Sequence, residues 1–146
     1  MKYELVKTDT KTTPNGAILY RVRYLASCEL GGWIEAEKNL SQAGNARVSG
    51  NAHVYGNARV SGNAHVYGNA QVSGNANILT VGPIGSRGAT LTICTDSKLG
   101  VHYSTGCFSG SRDEFLAKVE AEHGNNEHGN AYAAAVLLAD HLVKGM

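Results

Sequence analysis

Apolar residues recur every six positions through the middle of the chain. Residues 44–79 form six consecutive hexapeptides of the type Gly-Asn-Ala-x-Val-x, with Ile78 in place of the last valine. This period is typical of parallel β-helices, because each hexapeptide supplies one short strand and one corner, and three corners close a coil. The pattern therefore predicts a mainly β protein built on a short left-handed parallel β-helix of about two coils.

The alanine and the aliphatic residue of each hexapeptide are two positions apart, so both should face the interior of the coil. Glycine and asparagine then lie at the corner, where they tolerate backbone angles that other residues avoid. With eighteen residues in a coil, Arg47 should lie beside His65, which keeps like charges apart. We therefore expect a solvent-facing ladder, and not a metal or acid–base site, at the outward positions Arg47, His53, Arg59 and His65.

The segment before the repeat alternates between polar and apolar residues. Tyr3–Lys7 and Ala17–Ala26 show this alternation, and Pro14-Asn15-Gly16 between them is a turn sequence, so we expect a β-hairpin. An uncapped solenoid exposes its core and its backbone edges. The hairpin, together with Trp33 and Leu40, should therefore close one end of the coil.

The segment after the repeat predicts a β pair and two helices. Residues 88–96 and 100–104 have strand-like patterns, and Ser111 with Glu114 forms a capping-box signature for a helix that ends near residue 122. Residues 128–144 show helical periodicity. The predicted organisation is a hairpin and cap at 1–43, the repeat at 44–79, and a β-hairpin with a helical cap at 80–146.

Composition and charge limit the possible partners. The chain has 13 Lys and Arg against 12 Asp and Glu, a net charge of +1, which is too small to hold duplex nucleic acid or an anionic membrane. No signal peptide or membrane-spanning run is recognisable, so we expect a cytoplasmic protein. The three cysteines, Cys28, Cys94 and Cys107, are odd in number and widely spaced, which favours reduced, mostly buried thiols.

Several motifs accompany the repeat. They are Leu30-Gly31-Gly32-Trp33-Ile34-Glu35, Asn39-Leu40-Ser41, Val81-Gly82-Pro83-Ile84-Gly85-Ser86-Arg87, Gly106-Cys107-Phe108-Ser109-Gly110, Asp113-Glu114-Phe115 and His123-Gly124-Asn125-Asn126. With these motifs the chain resembles, over nearly its whole length, a family of small phage and prophage proteins of the hexapeptide-repeat, polymer-forming cytoskeletal-like type. The resemblance implies a phage-encoded protein of the host cytoplasm with a left-handed β-helix, and it supplies no catalytic residues.

The glycine-rich segment Gly82–Gly88 is the main candidate for a ligand site. Exposed amides in such a turn can bind a phosphate, and an arginine beside them adds a charge-assisted contact. The alternative is a solenoid exit turn in which Arg87 binds carbonyl groups of the last coil. If a nucleotide is the ligand, an aromatic residue downstream could stack on its base. The candidate ligand-binding residues are Gly85, Ser86, Arg87, Gly88, Tyr103 and Phe108.

The remaining reactive residues favour structural roles. Cys107 could be a nucleophile only beside a base or a cation, and its neighbours are glycine and phenylalanine, so we expect a buried, inert thiol. His123 and His128 lack the spacing of a metal pair and are expected at helix ends. We predict no metal site, no cofactor and no catalytic residue.

These observations favour a non-enzymatic binding or sequestering protein that antagonises a host defence system. It could hold a small nucleotide signal at the interface of a homo-oligomer, a dimer or trimer, or it could block a host defence protein. One alternative is a structural scaffold that self-associates through the β-helix. Another is a trimeric hexapeptide acyltransferase, which is disfavoured because no loop interrupts residues 44–79.

Overall fold

The structure is a computed structural model, and it describes residues 1–73, 77–106 and 108–144. These residues are mainly β, with eleven strands and two α-helices. The chain divides into two compact units, Met1–Asn75 and Ala76–Met146. The first contains the N-terminal hairpin and most of the hexapeptides, and the second contains an antiparallel sheet and both helices.

The predicted N-terminal hairpin is confirmed. Strands β1 (Tyr3–Thr12) and β2 (Ile18–Tyr24) are antiparallel, with Tyr3 opposite Tyr24. β1 continues beyond Lys7, where the sequence predicted its end. The alternation of side chains stops there because an irregularity after Val6 shifts the register of the strand pair.

The hexapeptides form parallel strand pairs that are eighteen residues apart. Their strands are β4 (Arg47–Val48), β5 (His53–Val54), β6 (His65–Val66) and β7 (Gln71–Val72). Arg47 pairs with His65, and His53 pairs with Gln71. The predicted pairing of Arg47 with His65 and of His53 with Gln71 is therefore confirmed.

The small and β-branched residues of the hexapeptides are buried. The alanines and valines of the first five hexapeptides are at most 1% exposed: Ala46, Val48, Ala52, Val54, Ala58, Val60, Ala64, Val66, Ala70 and Val72. The corner glycines have φ between 62° and 71°, where a residue with a Cβ atom is strained. At one corner Asn45 Nδ2 donates to Asn63 Oδ1 at 3.3 Å. The predicted inward and outward positions are confirmed for these hexapeptides.

Parallel pairing begins before the repeat. Strand β3 (Leu30–Ile34) is antiparallel to β2 and parallel to β5, where Trp33 lies beside His53. Leu40 bridges Val60 in the same parallel sense. These partners are twenty residues apart instead of eighteen, so the non-repeating segment holds two additional residues. The sheet order of this unit is β1-β2-β3-β5-β7, with β4 and β6 paired separately.

The hairpin satisfies backbone groups of the coil with its tyrosine hydroxyls. Tyr24 Oη donates to the carbonyl of Val48 at 2.9 Å and accepts from the amide of the same residue at 2.8 Å. Tyr3 Oη donates to the carbonyl of Leu40 at 2.5 Å, and Lys2 Nζ donates to the carbonyl of Ala46 at 2.6 Å. The N-terminal segment therefore supplies hydrogen-bond partners to backbone groups of this unit, as a cap is expected to do.

The second unit has a four-stranded antiparallel sheet. Its strands are β8 (Ile78–Ile84), β9 (Ala89–Asp96), β10 (Gly100–Thr105) and β11 (Phe108–Ser111), in the order β11-β10-β9-β8. Strand β8 corrects the sequence analysis at two points. Ile78 was predicted to face the interior of the coil, but it pairs with Cys94 in β9. The predicted loop Gly82–Gly88 shrinks to a turn at 85–88, because Pro83 is tolerated in β8 at the sheet edge.

Both helices are confirmed, and their ends follow from local capping. In α1 (Arg112–Glu122) the Ser111 hydroxyl accepts from the amide of Glu114, whose carboxylate accepts in turn from the amide of Ser111. α2 (Glu127–Leu142) begins at Asn126, whose side chain accepts from the amide of Gly129 at 2.9 Å. The helices and the sheet share an apolar core: Ile84, Leu91, Ile93, Tyr103, Phe115, Val119, Tyr132, Ala135, Val136, Ala139 and Val143.

Strands β9 and β10 also bury polar and titratable residues. His102 is 2% exposed, and its Nε2 lies 2.7 Å from the Ser109 hydroxyl. Cys94 is buried as predicted, and burial raises the pKa of its thiol to about 12. Cys28 is exposed, so its predicted burial is wrong; it lies in the connection between β2 and β3 with φ 62°.

We expect Tyr24→Phe to destabilise the protein by about 3 kcal/mol. The substitution leaves the buried amide and carbonyl of Val48 without their shared partner, and each such loss costs roughly 1–3 kcal/mol. Urea unfolding measures the cost. Tyr20→Phe, at a half-buried position of the same strand, is the control and should change stability little. Equal costs for the two variants would contradict the capping role.

We also expect His102 to make stability depend on pH. Burial lowers its pKa, and the nearby Asp96 carboxylate opposes this shift. The unfolded chain, with a histidine pKa near 6.5, therefore binds the proton more tightly. The contribution of neutral His102 is complete above about pH 6.5 and is lost as pH falls towards the lower folded pKa.

Urea midpoints at pH 7.5 and 5.5 measure this effect. His102→Gln should reduce the difference between the two midpoints, whereas His141→Gln, at an exposed position in α2, should leave it unchanged. An unchanged difference in His102→Gln would show that other groups cause the acid sensitivity.

Candidate functional site

A cavity of about 370 Å³ lies within the second unit. Its walls come from the β8–β9 turn, the β10–β11 turn, helix α1 and the first part of α2. The volume is at the lower end of the range that small-molecule sites occupy, roughly 300–1,000 Å³. The cavity can therefore accommodate part or all of a small ligand.

One wall of the cavity is aromatic. Phe108 and Tyr132 both pack edge-on against Phe115, each with ring centroids 5.5 Å apart. His123 stacks on Tyr132 at 5.8 Å with an interplanar angle of 28°. Aromatic faces and edges of this kind can pack against a planar ring of a ligand. The fixed contacts between the rings hold this wall in shape.

Charged residues line the same cavity. Arg87 comes from the β8–β9 turn, and Lys118 and Glu122 come from one face of α1. Lys118 Nζ lies 2.9 Å from Glu122 Oε1. The hydrogen bond and charge of Lys118, helped by His123 and Arg87, lower the pKa of the Glu122 carboxyl. With two cations and one carboxylate, the cavity can attract an anionic group.

The shape of the cavity depends on a close contact at the β8–β9 turn. The turn is closed by a hydrogen bond from the Gly88 amide to the Gly85 carbonyl at 3.2 Å. Gly85 has φ 81°, and a Cβ atom at this position would lie 2.0 Å from the Tyr132 hydroxyl. Only glycine lets α2 approach the turn this closely. Ser86 and Arg87 are thereby held beside the aromatic wall.

The structure brings together three of the six predicted ligand-binding residues. Ser86, Arg87 and Phe108 line the cavity, and Gly85 and Gly88 frame the turn that carries the first two. Tyr103 lies elsewhere: it is fully buried, and its ring stacks on Phe115 with centroids 4.9 Å apart. In this position Tyr103 supports the aromatic wall from the core and does not present a surface for stacking.

Sequence analysis did not include Lys118, His123 or Tyr132 in the site. Their positions depend on how the two helices dock onto the sheet, and a sequence pattern does not specify docking. The only local signal is the spacing of Lys118 and Glu122, which places both on one helix face. His123 and His128 do lie at the ends of the two helices, with ring centroids 5.5 Å apart. Cys107, predicted as an inert thiol, lies outside the described residues.

The outward residues of the hexapeptides contact one another and the hairpin. The Arg47 guanidinium lies over the Tyr24 ring at 4.1 Å and 3.5 Å from a Glu29 carboxylate oxygen. Ser49 Oγ lies 3.2 Å from His65 Nε2. These contacts agree with the ladder role that the sequence favours.

In the part of the chain that the structure describes, no group of three His, Cys, Asp or Glu side chains is arranged to hold a metal ion. Among the same residues, no helix combines the length and apolar character that crossing a membrane requires.

Comparison with known proteins leaves this geometry as the main guide to function. No protein-family model matches the chain, and no curated protein or solved structure matches it either.

We expect Gly85→Ala to destabilise the second unit more than Gly88→Ala. Both glycines have positive φ, so alanine costs about 1–2 kcal/mol of backbone strain at either position. At Gly85 the methyl group also collides with Tyr132, which adds roughly 1–3 kcal/mol, whereas at Gly88 the nearest atom, Pro83 Cβ, is 3.7 Å away. Urea unfolding of the two variants gives the difference. Equal costs would mean that Tyr132 can move away freely.

Proposed function

We propose that the protein is a non-enzymatic binding protein that captures a phosphate-containing nucleotide in the cavity of its second unit. The observation that supports this is the meeting of Ser86 and Arg87 with Phe108 in one cavity, together with Lys118. The β8–β9 turn, Phe108 and Lys118 are distant from one another in sequence, and together they supply the two kinds of contact that a nucleotide needs. Cations and a hydroxyl suit a phosphate, and aromatic rings suit a base.

Arg87 and Lys118 are the proposed phosphate ligands. A guanidinium can form two parallel hydrogen bonds to a phosphate, and an ammonium adds a point charge. The Ser86 hydroxyl lies in the same turn as Arg87 and can donate a further hydrogen bond. An arriving phosphate competes with Glu122 for Lys118, so the ion pair between them exchanges partners on binding.

Phe108, His123 and Tyr132 form the proposed surface for the base. Stacking of a base on an aromatic ring contributes roughly 1–3 kcal/mol in single-stranded nucleic acid complexes. Because every base has a π-face, this contact gives affinity with little selectivity. The cavity contains no arrangement that we assign to bond cleavage, and sequestration is the activity that this proposal requires.

The proposed biological role is antagonism of a host defence system by a phage-type protein in the host cytoplasm. It rests on the family resemblance and on the suitability of a rigid small protein for removing a nucleotide signal. A protein target in the defence system is the alternative partner.

We propose further that the hexapeptide coils form a left-handed parallel β-helix. The eighteen-residue spacing of the parallel pairs, the buried alanines and valines and the positive φ of the corner glycines support this proposal. The β-helix is the proposed scaffold of the protein, and the hairpin contacts with its first coil oppose open-ended stacking of copies at that end.

A homo-oligomer, dimer or trimer, remains part of the proposal. Helix α2 exposes three leucines that a second copy can cover: Leu137, Leu138 and Leu142, which are 62%, 47% and 47% exposed. Light scattering over a concentration series distinguishes a closed oligomer from a scaffold: a fixed small mass supports the oligomer, and a mass that grows supports filament formation.

Calorimetry and native mass spectrometry with a panel of linear and cyclic nucleotides test the binding function. We expect a complex with at least one nucleotide, and a loss of affinity of about tenfold or more in Arg87→Gln or Lys118→Gln, because each removes a charged hydrogen bond worth roughly 1.5–3 kcal/mol. Lys98→Gln is the matched control, since Lys98 is an exposed cation in the β9–β10 turn. No complex with any nucleotide, or equal affinities for all variants, would falsify the proposal.

A further inference from the structure

The five-stranded sheet of the first unit carries a row of polar and aromatic side chains in register. Arg21 lies opposite Trp33, Trp33 lies beside His53, and His53 lies beside Gln71. Directly paired residues on neighbouring strands project from the same face of a sheet. Lys11 of β1 joins the row, because its ammonium reaches the indole ring of Trp33.

Two positive charges share this one indole. Lys11 Nζ lies 4.6 Å from the Trp33 ring centroid, and Arg21 Cζ lies 4.9 Å from the same centroid. Trp33 is only 4% exposed, so neighbouring groups shield its ring from solvent. Cation–π attraction holds each cation to the ring. The indole therefore has two positive charges beside it.

The neighbouring groups compensate these charges only weakly. Asp9 Oδ2 is 4.0 Å from Arg21 Nη1, and the Asp9 side chain is 46% exposed, so this ion pair is screened by solvent. Arg21 Nε donates to the carbonyl of Gly31 at 2.9 Å and Nη1 faces Asp9, which leaves Nη2 for a further contact. Among the described residues, Lys11 forms no ion pair. The cluster therefore has an excess of positive charge.

Two further hydrogen-bonding groups belong to the row. His53 is half-buried, and burial, followed by the charge of Lys11, lowers its pKa, so that the imidazole is neutral near pH 7. A neutral imidazole has one N–H donor, and the His53 side chain is hydrogen-bonded to Gln71, which opposes the lowering of its pKa. Trp33 Nε1 is buried without a hydrogen-bond partner among the described residues. An indole N–H can only donate, so the unsatisfied groups in and around this cluster are mainly donors.

We propose that Lys11 and Arg21 form a binding site for a tetrahedral oxyanion, phosphate or sulfate, on this face of the sheet beside Trp33 and His53. The oxyanion places negative charge beside two cations that the neighbouring carboxylate compensates only weakly. It accepts hydrogen bonds from Arg21 Nη2 and from the Lys11 ammonium. The site does not depend on the nucleotide cavity of the second unit, because it uses a different set of residues.

Trp33 provides a direct measurement, since it is the only tryptophan of the chain. An oxyanion that binds Lys11 and Arg21 changes the charge next to the indole and so changes its fluorescence. Titration with inorganic phosphate, and separately with sulfate, should give a saturable change in Trp33 emission. Sodium chloride at the same ionic strength should not. The difference between the phosphate and sulfate curves shows which oxyanion the site prefers.

Lys11→Gln and Arg21→Gln should each weaken oxyanion binding by about tenfold or more. Lys7→Gln is the matched control, because Lys7 lies on the same strand with its ammonium 4.2 Å from the Tyr20 ring; its titration should match that of the unmodified protein. Thermal unfolding establishes that each variant is folded before it is titrated.

The His53 imidazole signals in an NMR spectrum provide a second readout that does not involve the indole. They should shift with the same phosphate midpoint as the fluorescence. Emission that changes only linearly, or equally with chloride, contradicts the site. Equal midpoints for Lys11→Gln, Arg21→Gln and Lys7→Gln also contradict it and leave the two cations with a purely structural role over Trp33.

Discussion

The parallel backbone ladder of the hexapeptide coils is the constraint on which the first unit depends. Buried amide and carbonyl groups of the hexapeptides need partners, and residues seventeen positions further along the chain supply them, as in the hydrogen bonds from the Arg47 amide to the Ala64 carbonyl and from the Ser49 amide to the Val66 carbonyl. Hexapeptide strands can pair at the normal distance between strands only if their inward side chains are small or β-branched and if the corners turn sharply. Alanine, valine and glycine at fixed positions meet both conditions.

The outermost strand of a parallel ladder has backbone groups without a neighbouring strand, and at one edge the N-terminal segment supplies that strand. β3 pairs with β5 in the parallel sense and with β2 in the antiparallel sense, so it joins the parallel strands of the repeat to the antiparallel hairpin. The Tyr3 and Tyr24 hydroxyls satisfy backbone groups that this change leaves open. The buried Asn39 has the same role, because its amide donates to the carbonyls of Gly56 and Ala58.

The features that could be predicted from the sequence are those set by local periodicity. The hexapeptide spacing predicted the pairing of Arg47 with His65, and the Ser111–Glu114 pair predicted the start of α1. Strand β8 was missed because Gly82 and Pro83 favour a loop unless the strand lies at a sheet edge. The candidate site was predicted in part: turn chemistry identified Ser86 and Arg87, whereas Lys118 and Tyr132 depend on helix docking. The burial of Tyr103 also depends on packing that no pattern encodes.

The hexapeptides are so similar that the interior of the coils does not by itself distinguish one from another. GNARVS and GNAHVY alternate, and each presents the same alanine and valine to the core. A shift of the strand pairing by twelve residues would put GNARVS in place of GNARVS and GNAHVY in place of GNAHVY, and it would leave the interior packing almost unchanged. The segment that pairs Trp33 with His53 and Leu40 with Val60 opposes this, because a shift against it would force twelve residues between it and the strands it pairs with to loop out. The non-repeating segment thus sets the register of hexapeptides that could otherwise exchange positions.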